Sequence, residues 1–591
     1  MTQIPYIPET APFNAEQRAW LNGFLAGLLA NQNAGVSAPQ PVAPVANAEP
    51  LLVLFGSQTG SAEGLAKKLA KESQARGFAP KILALNDFEQ ANLAAGGKTV
   101  LISSTWGDGE PPDNAVNFWN WLNAESAPRL ENLQFAVLGL GDKNYSDFCG
   151  ASKKFDERLA ALGAKRLAPR GECDVDYEAA AANWIGGLWE KLGGAATNGT
   201  SQNGNHSSPA TNGEAKAAPQ FCKANPFPAR LLKNVLLNQP GSAKEVRHYE
   251  ISLEGSGLAY EVGDALAVIP TNCPQLVGDV LAALKFTGDE PAKIGDAEMP
   301  LRAALTTQLD ITKPPIDLLK AVAAREPAGE LAALLAPERA ADFKKWLFGR
   351  GVIDLLPALA GALTPDDFVK LLRKLSLRLY SISSSPKAHP GEVHLTVSAV
   401  RYESFGRKRD GVASTFLADR VSATDFVKVF VQPSHGFKPP TNGDTPMIMV
   451  GPGTGIAPFR AFLEEREAVS AKGKHWLFFG DQTRASDFLY EEQLTAWQKS
   501  GLLTRLDLAF SRDQKEKIYV QDKMLASAAE LWSWLEAGAH FYVCGDASRM
   551  AKDVDAALHK IIETVGGKSA DEAKAYVAKL KTDKRYQRDV Y

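Results

Sequence analysis

LLVLFGSQTGSA, residues 51–62, decides the reading of the fold. Leu51 to Phe55 is an unbroken apolar run of strand length, the signature of a strand buried on both faces as in a parallel sheet. It breaks into a turn of small and hydroxyl residues, and the spacing then predicts a helix from Ala62 to Arg76. A turn of this composition lets backbone N–H groups and the hydroxyls of Ser57, Thr59 and Ser61 surround a phosphate at the positive end of a helix. The turn holds no Lys or Arg, no GK[ST] of a Walker loop and no GxGxxG of a dinucleotide loop. The expected ligand is therefore a monophosphate such as FMN, with a plain Gly/Ser turn as the bland alternative.

Two further apolar runs end in the same way. Thr99 to Ser103 leads into STWGDGEPP (104–112), and Phe135 to Leu138 leads into GLGDKNY (139–145). In a doubly wound sheet such loops share the C-terminal edge of the strands, where ligands bind, and Trp106 and Tyr145 would stand there as plates for a flat ring. Asp108, Glu110, Asp113, Asp142, Asp147, Asp174 and Asp176 lie near these loops, either as a solvated rim or as a docking surface for a basic electron acceptor.

A chain of 591 residues exceeds one core, so several domains are expected. With 45% hydrophobic and 23% charged residues it has the composition of an ordinary globular protein. Lys and Arg number 65 against 68 Asp and Glu, so no overall charge attracts nucleic acid. The five cysteines form no CxxC pair and no zinc spacing, from which a reducing compartment is expected, with neither disulfides nor a metal. Met1 to Thr10 shows no basic stretch followed by an apolar one, and no apolar run of about 18 residues occurs. The expected location is the cytoplasm, without a membrane anchor.

Composition also marks the boundaries. Residues 1–48 contain one amphipathic pattern, Asn14 to Ala30, with Trp20, Leu21, Phe24, Leu28 and Leu29 at helical spacing, followed by a Pro/Ala/Asn tether. This helix either docks on its own chain or serves self-association and partner docking. Residues 193–224, rich in Gly, Asn, Ser and Thr, read as a flexible linker. The segment between, 49–192, is the front module.

Behind the linker the pattern changes to strands at Ala229 to Leu237, Val246 to Leu253 and Gly263 to Ile269, the start of a barrel. A helical stretch of about 274–374 interrupts it, and strands resume at Leu379. There Arg378, Leu379, Tyr380 and Ser381 place a cation, an aromatic ring and a hydroxyl together. In an extended strand Arg378 and Tyr380 share a face, suiting a pyrophosphate and a ring, while Ser381 can hydrogen-bond a flavin nitrogen. Gly411, Val412, Ala413 and Ser414 open a helix whose N–H groups suit the same pyrophosphate. The barrel is assigned to 225–440.

The last part, 441–591, repeats the parallel α/β pattern. The strand Pro446 to Val450 runs into GPGTGIAPFR (451–460), placing Gly453 and Thr454 at a nucleotide turn, and Trp476 to Phe479 and His540 to Val543 continue the sheet. Ser511 and Arg512, with Lys517, Tyr519 and Gln521, gather donors suited to a ribose 2′-phosphate, so NADPH is expected rather than NADH. Cys544 follows a buried strand at the same edge; it either takes part in the chemistry or is a packed small hydrophobe.

SQTGSA, STWGDGEPP and LGLGDKNYSDFCG (138–150) resemble flavodoxin and the flavodoxin-like half of the diflavin reductases. RLYS, GVAS, GPGTGIAPFR, SRDQKEKIYVQ, YVCGDASRMAKDV and RYQRDVY, in that order, resemble the ferredoxin–NADP reductase family with the helical insertion of diflavin reductases. End to end the chain is most similar to the flavoprotein (alpha) branch of NADPH-dependent assimilatory sulfite reductases. The resemblance implies a multidomain α/β protein: a flavodoxin-like doubly wound domain, an FAD-binding β-barrel with its insertion, and a ferredoxin–NADP-reductase-like nucleotide domain. It implies FMN phosphate at Ser57, Gln58, Thr59, Gly60, Ser61 and Ala62. The FMN ring would lie against Ser104, Thr105, Trp106, Gly107, Leu140, Gly141, Asp142, Asn144, Tyr145, Phe148 and Cys149. It implies FAD contacts at Arg378, Leu379, Tyr380, Ser381, Thr396, Val397, Ser398, Tyr402 and Gly411 to Ser414, with Tyr591 covering the ring. NADPH would meet Gly453, Thr454, Ser511, Arg512, Lys517, Ile518, Tyr519, Val520, Gln521 and Asp553, and Ser381, Cys544 and Asp589 would assist hydride transfer.

The implied partner is a sirohaem and iron–sulfur hemoprotein (beta) subunit reducing sulfite to sulfide in sulfur assimilation and cysteine biosynthesis, with homo-oligomerisation through the N-terminal region. Trp106 and Ser398 depart from the family pattern and bear on the ring environments. Two rivals stay open: a diflavin reductase serving another one-electron acceptor such as a P450, and a flavin-free assembly subunit.

Overall fold

In the computed structural model the chain is described over residues 48–57, 60–105, 109–141, 147–174, 177–193, 221–422, 424–434 and 436–591. The amphipathic pattern at Asn14 to Ala30 and most of the 193–224 linker lie outside the described residues. Contacts divide the chain into two units, Met1–Asn203 and Gly204–Tyr591.

The first unit is built on strands β1 (Glu49–Gly56), β2 (Phe78–Ala84), β3 (Gly97–Ser104), β4 (Leu133–Leu140), β5 (Lys165–Arg166) and β6 (Gly171–Cys173). They pair in the order β2-β1-β3-β4-β5, with β6 also on β4, and every pairing is parallel. This is the doubly wound 2-1-3-4-5 order, whose topological switch lies between β1 and β3. Alternate side chains of β1 go to opposite faces, and both faces are covered: Leu51 and Val53 enter one core cluster, Leu54 the other. Burial on both sides is why the strand reads as a continuous apolar run. Helices α1 (Ser61–Ala75) and α2 (Gly150–Ala161) begin at the C-terminal ends of β1 and β4, aiming their N-termini at one edge.

The second unit holds an antiparallel and a parallel sheet. The antiparallel strands are β7 (Phe227–Leu236), β8 (Val246–Ser252), β9 (Ala265–Ile269), β10 (Arg378–Ser381), β11 (Glu392–Ser398) and β12 (Phe426–Gln432). Their order is β10-β9-β12-β7-β8-β11, and the two end strands meet through a bridge between Ile382 and Leu395. Tyr249, Ile251, Leu266, Val268, Leu395 and Val397 fill the interior. Between β9 and β10 lies the insertion, whose helices include α3 (Pro274–Leu284) and α4 (Ile316–Arg325). It has a core of its own, from Val277 to Leu372. The insertion is not helical throughout: Pro291–Ile294 and Ala297–Pro300 form a hairpin. Gly295 turns it with φ of 62°, a conformation that glycine adopts without strain and that helical periodicity does not report.

The parallel sheet comprises β13 (Met447–Val450), β14 (His475–Asp481), β15 (Arg505–Phe510), β16 (His540–Gly545) and β17 (Tyr586–Val590), in the order β15-β14-β13-β16-β17. Every pairing is parallel. In chain order this is 3-2-1-4-5, and its switch lies between β13 and β16, beside the Gly451–Thr454 turn and Cys544.

Candidate functional site

In the first unit the site grows from the turn after β1. The Ser57 amide donates to Asn114 Oδ1 at 2.8 Å, and Ser57 Oγ accepts from the Gly60 N–H at 2.9 Å. Gly60 sits at φ 92°, and α1 starts without a side-chain cap. The N–H groups at its first turn, where Ser61 and Ala62 stand, are therefore left for an anion. At the same sheet edge the Thr105 amide donates to the Leu140 carbonyl at 2.8 Å, tying the loops after β3 and β4 together. Thr105 Oγ1 is buried and has no partner among the described residues. A buried hydroxyl of this kind calls for a polar ligand, so the set fits a phosphate-bearing flavin such as FMN.

Leu140 is buried, Ser104 and Phe148 are half-buried, and a Cβ on Gly141 would lie 2.8 Å from the Cys149 amide nitrogen. Cys149 is packed inward, its thiol donating to the Cys173 carbonyl at 3.7 Å, and burial pushes its pKa up to about 12. Its backbone takes φ 56°, and its sulfur is not a reactive thiolate. Gln58, Thr59, Trp106, Gly107, Asp142, Asn144 and Tyr145 lie outside the described residues.

In the second unit three separated stretches meet. Ser381, at the end of β10, donates its hydroxyl to Asp589 Oδ2 at 2.6 Å, and the Cys544 thiol lies 3.8 Å from the same oxygen. Cys544 and Asp589 are register partners on β16 and β17, which explains how residues 45 apart in sequence come to share an atom. Burial raises the Asp589 carboxyl above its ordinary range, and the Ser381 and Cys544 hydrogen bonds offset part of the rise. Burial also raises the Cys544 thiol well above its ordinary value, with the Asp589 charge acting in the same direction. Cys544 is thus a neutral thiol that donates, not a thiolate.

The turn beside this group is built by close approach. A Cβ on Gly455 would come within 2.1 Å of the Cys544 carbonyl oxygen, and one on Gly451 within 2.5 Å of the Gly455 carbonyl oxygen. Gly453 takes φ 57°. Thr454 Oγ1 and the Tyr591 hydroxyl lie 2.8 Å apart, and the Tyr591 amide donates to the Gly545 carbonyl at 3.0 Å. The Tyr591 ring is 63% exposed, so one face remains for another planar group. Asp481, whose side chain is fully buried, pairs with Lys244 close to Gly453 and leaves Oδ2 unpartnered among the described residues. A tight backbone cradle edged with polar atoms fits a dinucleotide.

The remaining expected residues divide by what they present. Arg378 Nη1 donates to the Ser376 and Leu377 carbonyls at 3.2 and 3.1 Å. Tyr380 packs on the barrel core, where burial pushes its hydroxyl up to about 12, whereas Leu379 and Tyr402 are exposed. Thr396 Oγ1 pairs with the Tyr490 hydroxyl at 2.7 Å, Val397 points into the core, and Ser398 is half-buried. Helix α5 (Val412–Asp419) has no side-chain cap, and a Cβ on Gly411 would lie 2.7 Å from Ser414 Oγ. Ala413 and Ser414 behind it are buried. This uncapped, glycine-led helix start fits a pyrophosphate.

The Ser511 and Arg512 amides donate to the Asp481 and Gln482 carbonyls at 2.9 and 2.8 Å, fixing the turn after β15 at the same sheet edge. Arg512, Lys517 and Tyr519 are exposed there, Ile518 is half-buried and Val520 buried. Gln521 Nε2 reaches Asp553 Oδ2 at 3.4 Å.

Three family models match in the order of these sites: Flavodoxin over residues 53–184, FAD binding domain over 219–416, and Oxidoreductase NAD-binding domain over 449–556. The sulfite reductase (NADPH) flavoprotein alpha-component of Bacillus subtilis (strain 168) is 44% identical over 97% of this chain and 95% of its own length. That of Vibrio vulnificus (strain CMCP6) is 41% identical over 100% and 96%, and that of Neisseria meningitidis serogroup A 43% over 98% and 96%. The chain belongs to the sulfite reductase (NADPH) flavoprotein alpha-component family.

For a member of the flavoprotein alpha-component family, the sequence reading gave no role to Arg460, the last residue of GPGTGIAPFR, which sits in a buried polar seam. Arg460, in helix α6 (Ala457–Ala468), donates Nη1 to the Ser383 carbonyl at 2.5 Å, pairs with Glu464 at 2.6 Å and lies over the Tyr490 ring. It joins the chain just past Ser381 to the helix that follows the glycine turn. The signal was an i,i+4 Arg/Glu pair on a helix otherwise buried. Among the described residues no helix is long and apolar enough to cross a membrane.

Proposed function

We propose that this chain carries electrons from NADPH through FAD to FMN and on to a sirohaem and iron–sulfur hemoprotein that reduces sulfite to sulfide, in sulfur assimilation and cysteine biosynthesis. The observation that carries it is the Ser381–Asp589–Cys544 group set against the Gly451–Thr454 turn. Bound NADPH and flavins supply the redox chemistry, two flavins in series matching a two-electron donor to one-electron acceptors.

The protein's part is to bind, orient and handle protons. The turn at Ser57 to Ala62 holds the FMN phosphate, and the loops at Ser104 to Gly107 and Leu140 to Cys149 flank its ring. Arg378 to Ser381, Thr396 to Ser398, Tyr402 and Gly411 to Ser414 line FAD. Gly453, Thr454, Ser511, Arg512, Lys517 to Gln521 and Asp553 would line NADPH, and Tyr591 would cover the flavin ring. Asp589 Oδ2 receives hydrogen bonds from both Ser381 and Cys544, so it holds their protons in fixed directions while charge moves nearby.

The functional domains are 49–192 for FMN, 225–440 for FAD with its insertion at about 274–374, and 441–591 for NADPH, joined by the 193–224 linker. Residues 1–48 serve self-association and partner docking, and the protein works in the cytoplasm. The decisive test is NADPH consumption by purified protein, with released flavin quantified, with and without a sulfite-reducing sirohaem hemoprotein. Sulfide formed only when both proteins are present supports the assignment. One FAD and one FMN with diaphorase activity but no sulfide overturns the acceptor and keeps the diflavin reading. A colourless protein overturns both. Deleting residues 1–50 should lower the assembly mass; an unchanged mass removes that role.

A further inference from the structure

Strand β8 reads VRHYEIS, and its alternation splits the side chains. Tyr249 and Ile251 enter the barrel core, so His248 and Glu250 share the opposite face. Strand β11 runs antiparallel beside it, with His394 directly opposite Glu250 and Thr396 opposite His248. Two imidazoles and a carboxylate are thereby fixed as neighbours by backbone register alone.

We propose that His248, Glu250 and His394 form a binding site for one divalent transition-metal cation, zinc being the one whose ligand chemistry they fit best.

One ligand atom from each of the three lies within 4.8 Å of the other two. His248 Nε2 and Glu250 Oε1 are 3.4 Å apart, the separation expected for two ligands on one ion at about 2.0–2.1 Å in tetrahedral geometry. The second nitrogen of each ring is already engaged. His248 Nδ1 meets the Tyr490 hydroxyl at 2.9 Å, and His394 Nε2 meets Glu392 Oε2 at 3.1 Å. A histidine whose far nitrogen is held by a hydroxyl or carboxylate has its tautomer and ring direction set for a metal at the other nitrogen. That other nitrogen of His394, Nδ1, is buried without any hydrogen-bond partner, in a side chain only 1% exposed. A buried acceptor without a partner is destabilising, and a cation at Nδ1 would satisfy it.

Burial disfavours the charged form of both rings, and it is the neutral ring that offers a lone pair to a metal. The competing charges are visible too. Lys233 Nζ bonds Glu250 at 3.0 Å, but its side chain is 61% exposed and can swing away. Arg460 stands over the Tyr490 ring, its charge answered by Glu464. Two neutral nitrogens and one carboxylate, with further positions left to water, make a set for zinc rather than calcium or magnesium, which require oxygen ligands.

The test uses the full-length, flavin-loaded protein, stripped with chelator and dialysed against micromolar zinc chloride, with bound metal measured by mass spectrometry. About one zinc per chain should be retained. Glu250→Gln and His394→Gln should each weaken binding at least tenfold, and Lys233→Met should tighten it severalfold by freeing the carboxylate. Retention below a tenth of an equivalent, or binding unchanged in Glu250→Gln, overturns the site and leaves an ordinary buried histidine cluster. Glu250 is only partly buried, so if His394→Gln loses its flavin and fails to fold, Glu250→Gln and Lys233→Met still decide the matter.

Discussion

GSQTGSA (56–62) and GPGTGIA (451–457) both follow the first strand of a parallel sheet and open a helix, yet they are held in different ways. The first turn is held by hydrogen bonds: Ser57 Oγ accepts from the Gly60 N–H, Asn114 Oδ1 accepts from the Ser57 amide, and the left-handed Gly60 releases the helix start. The second takes its shape from a neighbour, because Gly455 lies flat against the Cys544 carbonyl on β16. A turn pressed against the strand carrying Cys544, which is paired with Asp589, ties its own position to the Ser381–Asp589–Cys544 group.

The sharpest break of that comparison is Gly455→Ala. Its Cβ would meet backbone rather than a mobile side chain, so β13 and β16 must part. NADPH-driven dye reduction should fall by about a hundredfold or more, as expected for displacement by an ångström, while FMN content is unchanged. Equal loss of FMN would mean the two sockets are not independent. Asp589→Asn tests the coupled side next. It keeps shape but weakens the acceptor shared by Ser381 and Cys544, and stopped-flow flavin reduction should slow by about ten- to a hundredfold with the NADPH KM nearly constant.

The two units should also differ in acid. All eight histidines lie in the second unit's span, Gly204–Tyr591, so imidazole protonation bears on it alone. His475 is fully buried, its Nδ1 2.8 Å from the Leu502 carbonyl, and burial lowers its pKa to about 4. A depressed folded-state value means the stabilising contribution is complete above the unfolded value near 6.5 and is lost as pH falls from there toward 4. At pH 5 His475 alone should cost about 2 kcal/mol. Thermal melts of wild type and His475→Gln should therefore converge between pH 7 and 5; parallel curves would refute the shift.

Smaller effects separate recognition from chemistry. Arg512→Ala should reduce the preference for NADPH over NADH by about tenfold, read as the ratio of the two kcat/KM values, with flavin content intact. Thr105→Ala should weaken FMN by only about fivefold in a fluorescence titration, the worth of one hydrogen bond. No change there would mean that the buried Thr105 hydroxyl is not used by the cofactor.

The glycine turns and the strands before them were legible in the sequence because their signals are local: an apolar run, a change of residue class, a helix start. Strand β1 extends beyond Leu51–Phe55 to Glu49–Gly56, whereas β13 covers Met447–Val450 and omits Pro446, which has no N–H to give to a ladder. The Ser381–Asp589 contact could not be read from spacing, for its partners are 208 positions apart and meet only through two sheets. The same is true of His248 and His394. No metal was expected because the five cysteines show no zinc spacing, whereas the face shared by β8 and β11 appears only once their register is known. The hairpin inside the insertion was hidden by the helical periodicity around it.

That insertion leaves the barrel at β9 and returns at β10, and these strands are direct partners, with Val268 opposite Arg378. Its two ends are thus one ladder spacing apart, about 5 Å, and its core is separate from the barrel's. In engineering terms it is a cassette: a short hairpin turn could replace it, or another compact module could be grafted at the same two points, while the strands carrying Tyr380 and Ser381 keep their register.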